Sequence, residues 1–261
     1  MKNFSFGVFA DVQYGQREPA IRRYYRKAME KVRGYLARFE AEQVNFMVHM
    51  GDLIDMPHDE AGGERCLGDM MALLNGSGIP CVYLVGNHDS GSVVRPVLER
   101  AWGFQNDRFY FSFDVGAFHF IVLDTNYNAD GVPYDPDTHQ WDECYVNVPQ
   151  LQWLREDLRS CAAEKVLVLS HALLDDGQGD HMVRNAHEVR AILEDSGKEL
   201  VVLQGHKHCG DFSRQKGIPY YTLKATVEGE EQTYCWVVSA KGDSMTAEVY
   251  DCGVRSEIVL F

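Results

Sequence analysis

Short apolar runs alternate with longer segments of three-and-four apolar spacing along most of this chain, and that alternation constrains the fold more than any other feature. Phe4 to Ala10 is short and apolar. Pro19 then opens a segment with apolar residues at 21, 24, 25, 28, 32, 35, 36 and 39, the face of one helix with Pro in its first turn. Val44 to Met50 and Pro80 to Val85 read as further strands, with a helix candidate over 64–75 between them. Phe109 to Asp114 and Ala117 to Leu123 read as a hairpin, and Pro149 opens a helix with Leu151, Leu154 and Leu158 on one face. Strands at Lys165 to Leu169 and Leu200 to Gln204 flank a helix that Asn185 and Glu188 would cap and Gly197 would stop. The tail from Tyr220 to Phe261 reads mostly as strands. Strands joined by helices run parallel, and the hairpins add antiparallel neighbours. The expected architecture is a layered α/β sandwich of αββα type with mixed sheets, residues 1–261 forming one domain without repeats or linkers.

Composition narrows the function. Apolar residues make up 45% of the 261, enough for a sizeable core. No apolar run approaches the roughly 20 residues of a membrane span, and the start reaches Asp11 after too short an apolar stretch for a signal peptide. The net charge of −14 argues against a dedicated binder of nucleic acid or of an anionic membrane, though local cations can still receive a small phosphorylated substrate. The seven cysteines are odd in number and never spaced C-x-x-C, so the expectation is reduced, mostly buried thiols in a cytoplasmic protein.

In open α/β folds ligands bind beyond the carboxyl ends of the strands, so the residues that follow each strand carry the functional signal. Asp11-Val12-Gln13 follows the first, Gly51 to Asp55 (GDLID) the second and Gly86 to Asp89 (GNHD) the third. Ser170-His171 follows the Lys165 strand, and Gly205 to His208 (GHKH) the Leu200 strand. One such ending is usually only a turn. Five of them, each delivering an oxygen or imidazole ligand type and none a thiolate, are expected to converge on one sheet edge as a metal site.

This set resembles the calcineurin-like metallophosphoesterase superfamily, whose motifs run D-x-H, G-D-x-x-D, G-N-H-D/E, H and G-H-x-H; the match spans roughly residues 4–210. Gln13 departs from it, standing where most members have His. A D-x-Q first motif resembles the manganese-dependent ADP-ribose/CDP-alcohol diphosphatase branch. FGVFADVQY, the RRYYR at Arg22 to Arg26, PQLQWL at Pro149 to Leu154 and GHKHCGDF…GIPYYTLKATVEG agree with that branch. The chain is shorter than animal members between Leu123 and Pro149, and has Asp89 where they tend to have Glu.

The resemblance implies two divalent ions, with Mn expected and Fe, Zn or Mg possible. Asp11, Gln13, Asp52 and His208 would hold one, and Asp52, Asn87, His171 and His206 the other, Asp52 bridging. The amide at Gln13 would make its site harder and weaker than an imidazole would; alternatively Gln13 supports the ligands from behind. His88 would stand beside the leaving group as general acid or electrostatic stabiliser, oriented by Asp89, with Asp55 in support. The implied reaction is hydrolysis of a nucleotide-linked diphosphate. The alternatives are another phosphodiester or phosphomonoester, such as a cyclic nucleotide, or a silent scaffold of the same fold.

The residues themselves add two features. Arg17, Arg22, Arg23, Arg26 and Lys27 form a local basic cluster, from which Arg22 or Arg23 could receive a second phosphate; the alternative is a solvated helix face. Residues 126–146, rich in acidic and aromatic groups, read as a loop whose aromatics either stack on a base or sugar or anchor the loop. His139 and His181 lie outside any motif and read as bystanders.

Overall fold

The structure, a computed structural model, describes residues 3–105, 108–175 and 179–261. Phe4–Phe9 (β1), Phe46–His49 (β2) and Cys81–Tyr83 (β3) lie parallel. Tyr234–Lys241 (β10) pairs antiparallel with β1 and is followed by Ser244–Asp251 (β11) and Val254–Val259 (β12), giving a sheet of order β12-β11-β10-β1-β2-β3. The second sheet has the order β4-β5-β6-β7-β9-β8. Its strands are Phe111–Val115 (β4), Phe118–Val122 (β5), Lys165–Ser170 (β6), Glu199–Gln204 (β7), Cys209–Gln215 (β8) and Ile218–Lys224 (β9). In it β5, β6, β7 and β9 are parallel, and β4 and β8 close the edges as antiparallel hairpin arms.

Side-chain alternation explains the layering. From β1, Phe4, Phe6 and Val8 point between the sheets, where they meet Phe118, Phe120, Leu167, Leu169, Val201 and Leu203 in a continuous core. Phe9 and Met47 point the other way, onto Val32, Leu36 and Phe39 of the helix Ala28–Ala41 (α1) and Leu67, Met70 and Leu74 of Glu60–Gly76 (α2). Across the molecule Val166, Val168 and Val202 face Val148–Ser160 (α5) and Ala186–Asp195 (α6). This is the expected αββα order with mixed sheets. Among the described residues no helix is long and apolar enough to cross a membrane.

Three local expectations need correction. The metal-type endings do not share one sheet edge: β1, β2 and β3 deliver three from one sheet, β6 and β7 two from the other. The helix does not start at Pro19. A 3-10 turn, Tyr25–Lys27, leads into α1, and Ile21 is fully exposed with a φ of 57°. The reason is tertiary: residues 22–24 pair with 227–229 through Tyr24 N–H to Val227 O (2.9 Å) and Gly229 N–H to Arg22 O (2.8 Å). The capping pair forms only in part: Asn185 is the N-cap residue of α6 and its amide reaches Glu188 Oε1 (3.2 Å), but it makes no bond to the helix amides and instead accepts from Val146 N–H (3.0 Å) and donates to Val146 O (2.9 Å). The sequence pattern also missed two short helices after β3, Asn87–Ser92 (α3) and Arg95–Trp102 (α4).

Candidate metal centre

After β1, β2 and β7 the chain turns sharply at the sheet rim. Asp11, Gln13, Asp52 and His206 all adopt positive φ (50°, 46°, 60° and 65°), a conformation costly for residues with a Cβ. Chain-internal bonds hold them in it: Asp11 N–H donates to Gly51 O (3.1 Å), Gln13 N–H to Asp52 O (2.8 Å), and His206 N–H to the Asp11 carboxylate (3.1 Å). Two motif glycines leave room for ligands from elsewhere in the chain. A Cβ on Gly86 would lie 2.0 Å from Asp52 Oδ1, and one on Gly51 would lie 2.4 Å from His171 Nδ1.

The side chains converge. His171 Nε2 lies 3.3 Å from Asp52 Oδ1 and 3.2 Å from Asn87 Oδ1, and its ring meets that of His206 edge-on at 5.1 Å. Ligand atoms of Asp52, His171 and His206 all fall within 4.8 Å of one another. On the other flank, Gln13 Nε2 lies 3.0 Å from Asp52 Oδ2 and 3.0 Å from His208 Nε2, which in turn is 3.7 Å from Asp11 Oδ1. All seven residues that the motifs nominated therefore meet, with Asp52 between the two groups.

The donor set fits cations. His206 Nε2, an imidazole nitrogen of the cluster, is buried with no hydrogen-bond partner among the described residues, an arrangement native proteins seldom leave without a ligand. His171 donates through Nδ1 to Met50 O (2.9 Å), which turns Nε2 inward as a metal-binding imidazole requires. Burial disfavours a charged ring at His171, yet Asp52 and Asp11 outweigh it and push the ring up to about 10. The carboxylates that raise it, Asp52 and Asp11, are buried negative charges that a cation would offset.

His88 stands beside this cluster, its backbone N–H bonded to Asp52 Oδ1 (2.8 Å) and its Nε2 4.0 Å from Asp52 Oδ2. The expectation that Asp89 orients it is wrong. Asp89 Oδ1 accepts from the N–H groups of Leu53 (2.8 Å) and Ile54 (3.1 Å), and Oδ2 from those of Asp52 (2.9 Å) and Gly86 (2.9 Å). It is a clasp binding the loop after β2 to the start of α3. Burial and the neighbouring Asp52 push its carboxyl up to about 7 against the pull of these donors. The acceptor at His88 Nδ1 is Asp55, at 3.2 Å, itself paired with Arg17 at 2.6 Å.

Beyond the motifs, a cavity of 250 Å³ opens over the cluster, lined by Asp52, Asn87 and His88 on one side and by Arg23, His139, Trp141 and His181 on the other. His139 and His181 are thus not bystanders; the His181 ring packs 5.1 Å from that of His206. Both come from loops without periodicity, so the sequence carried no signal for them. The loop 126–146 combines both expected roles: Tyr127 and Tyr134 are buried anchors, and half-exposed Trp141 faces the cavity. Arg23 faces the cavity, whereas Arg22 turns toward Glu228 (3.7 Å) and Gln232 (3.3 Å). Arg26 and Lys27 pair with surface carboxylates.

Glu228 was also missed. Its Oε1 accepts from His208 Nδ1 at 2.8 Å, fixing that ring as Met50 fixes His171. The loop that carries Glu228 is fastened by Lys31, whose buried ammonium donates to the carbonyls of Thr226 (2.8 Å), Glu228 (3.0 Å) and Gly229 (2.5 Å). Burial lowers this ammonium to about 8. Replacing Lys31 by Met should lower stability by roughly 2–4 kcal/mol in a denaturant titration, because three carbonyls, one buried and two part-buried, lose their donor.

Comparisons with known proteins identify the family. The model of the family described as "Calcineurin-like phosphoesterase" matches residues 4–210. The chain belongs to that family, and is a hydrolase. Two curated relatives, from Danio rerio (24% identical, 90% of this chain and 91% of the relative) and from Oryza sativa subsp. japonica (26%, 86% and 84%), are each named "Manganese-dependent ADP-ribose/CDP-alcohol diphosphatase". A solved structure titled as a dimetal phosphatase from Danio rerio superposes with a TM-score of 0.83 at 20% identity, covering 99% of both chains, and shares the fold.

Proposed function

We propose that this chain, as one unit of 261 residues, hydrolyses the diphosphate of a nucleotide-linked small molecule of the ADP-ribose or CDP-alcohol type. The observation that carries the reading is the convergence of oxygen- and imidazole-bearing residues around Asp52, with His206 Nε2 buried and without a partner among them. The names of the relatives support the substrate class and favour manganese.

In this reading Asp11, Gln13, Asp52 and His208 hold one divalent ion and Asp52, Asn87, His171 and His206 the other. Bound there, the pair would supply a nucleophile at neutral pH and neutralise the phosphoryl oxygens. The chain's own groups do the rest. Asp52, ionised and shared, offsets repulsion between the two positive charges. Gln13 serves as a ligand by turning its amide so that Oε1 faces Asp52 and His208, an orientation that leaves the side chain otherwise in place. His88, aligned by Asp55, places Nε2 beside the cluster, where it can give a proton to the departing oxygen. Arg23, across the cavity, receives the phosphate that is not attacked. All seven thiols are free, although only Cys66, Cys144 and Cys235 are buried rather than most of them, and their free state supports a reducing, cytoplasmic setting.

The test is a substrate panel with metal analysis on one preparation: ADP-ribose, CDP-choline, cyclic AMP and p-nitrophenyl phosphate, each with added Mn²⁺. Turnover of the first two and about two bound ions per chain are expected. Rapid turnover of cyclic AMP or the simple ester alone would replace the substrate assignment.

A further inference from the structure

A second cavity, of 450 Å³, abuts the first, and His208 forms the wall between them. The ring's Nε2 faces the metal cluster, while its Nδ1 is bound by Glu228, which lines the second cavity. Ala225 gives this cavity an apolar floor, beside the half-buried ring of Tyr234. Around the floor stand Arg22, Glu228 and Gln232 on one side and Lys224 with Asp251 on the other. Arg22 bonds Gln232 and Lys224 pairs with Asp251 (2.5 Å), its ammonium 5.7 Å from the centre of the Tyr234 ring. An aromatic face, carboxylates that accept from hydroxyls and two cations suit a nucleoside carrying phosphate.

We infer that this second cavity is the nucleoside subsite, holding the base and ribose while the attached phosphates extend past Arg22 and Arg23 to the metal cluster. The inference rests on the function proposed above. The two adjoining cavities together fall within the roughly 300–1,000 Å³ typical of small-ligand sites. Arg22, which does not face the metal cavity, thereby gains a ligand contact, and Lys224 acts from the end of β9.

Two exposed thiols, Cys209 and Cys252, line this cavity and report on it without any turnover. In the Mn²⁺-loaded protein, AMP at about ten times its inhibition constant should slow iodoacetamide labelling of both about tenfold, by occupancy alone. Inorganic phosphate, which lacks the base and ribose that would fill this cavity, should leave both rates nearly as they are. Peptide mass spectrometry reads each site, and the buried Cys66, Cys144 and Cys235 serve as internal references for the fold. Arg22→Glu and Lys224→Glu should each weaken the protection by AMP, although the wild-type comparison decides the matter if either variant fails to fold. AMP that inhibits hydrolysis of bis(p-nitrophenyl) phosphate without protecting the thiols, or phosphate that protects as well as AMP, overturns the subsite. So does AMP that neither inhibits nor protects. Mn²⁺-dependent hydrolysis of the diester in the same preparation keeps the two ideas apart. Hydrolysis without protection removes the subsite alone, whereas a protein that cleaves no phosphate ester or anhydride removes the proposed function and leaves the labelling to decide the subsite.

Discussion

Replacing Asp52 by Asn should abolish phosphohydrolysis while leaving a folded protein. The carboxylate is fully buried and touches both halves of the cluster: His171 at 3.3 Å, Gln13 at 3.0 Å and the His88 backbone at 2.8 Å. An amide keeps the shape and one acceptor oxygen, but it removes the negative charge that two cations would share. Electrostatic stabilisation by such a pair is worth several kcal/mol, so at about 1.4 kcal/mol per tenfold the expected loss in kcat is about 10³ or more. Metal analysis after gel filtration should show fewer than two ions per chain, with an unchanged circular dichroism spectrum. Full activity in purified Asp52→Asn would end the two-ion account.

The second large effect separates His88, Asp55 and Asp89. Loss of a general acid costs typically 10²–10⁴ in rate, and His88→Ala should fall in that range in kcat with its metal content intact. Asp55→Asn should lower kcat less, because an amide oxygen still accepts from His88 Nδ1 although the pair with Arg17 weakens. Asp89→Ala should behave differently. Four buried N–H groups lose their acceptor, so stability should fall by at least about 3 kcal/mol in thermal or denaturant melts. If Asp89→Ala keeps its melting temperature and loses only kcat, the clasp assigned to it is wrong.

That contrast marks what a linear reading can and cannot reach. The strand ends were legible because β1, β2, β6 and β7 are short apolar runs between helical periodicities, and their ligands follow at fixed offsets. Which carboxylate faces His88 was not legible. Asp55 and Asp89 both belong to motifs, and only the reversal of the Asp89 side chain toward Gly86 and the loop at 52–54 decides between them. The start of α1 was misjudged for a related reason. Pro19 is a sound local signal, but residues 22–24 are claimed by a loop about 200 positions downstream. Glu228, His139 and His181 sit in aperiodic segments, where sequence offers residue types without directions.

The strained turns at Asp11, Gln13, Asp52 and His206 carry a consequence for the life of the protein. Their geometry is enforced by amides, carbonyls and the Asp89 carboxylate, so the polypeptide itself carries the mould for the ions. A chelator should then strip the centre, and fresh salt restore it, with no refolding lag. In a cell whose supply of the ion rises and falls, such a protein would wait in working shape and switch with it rather than being degraded and made anew.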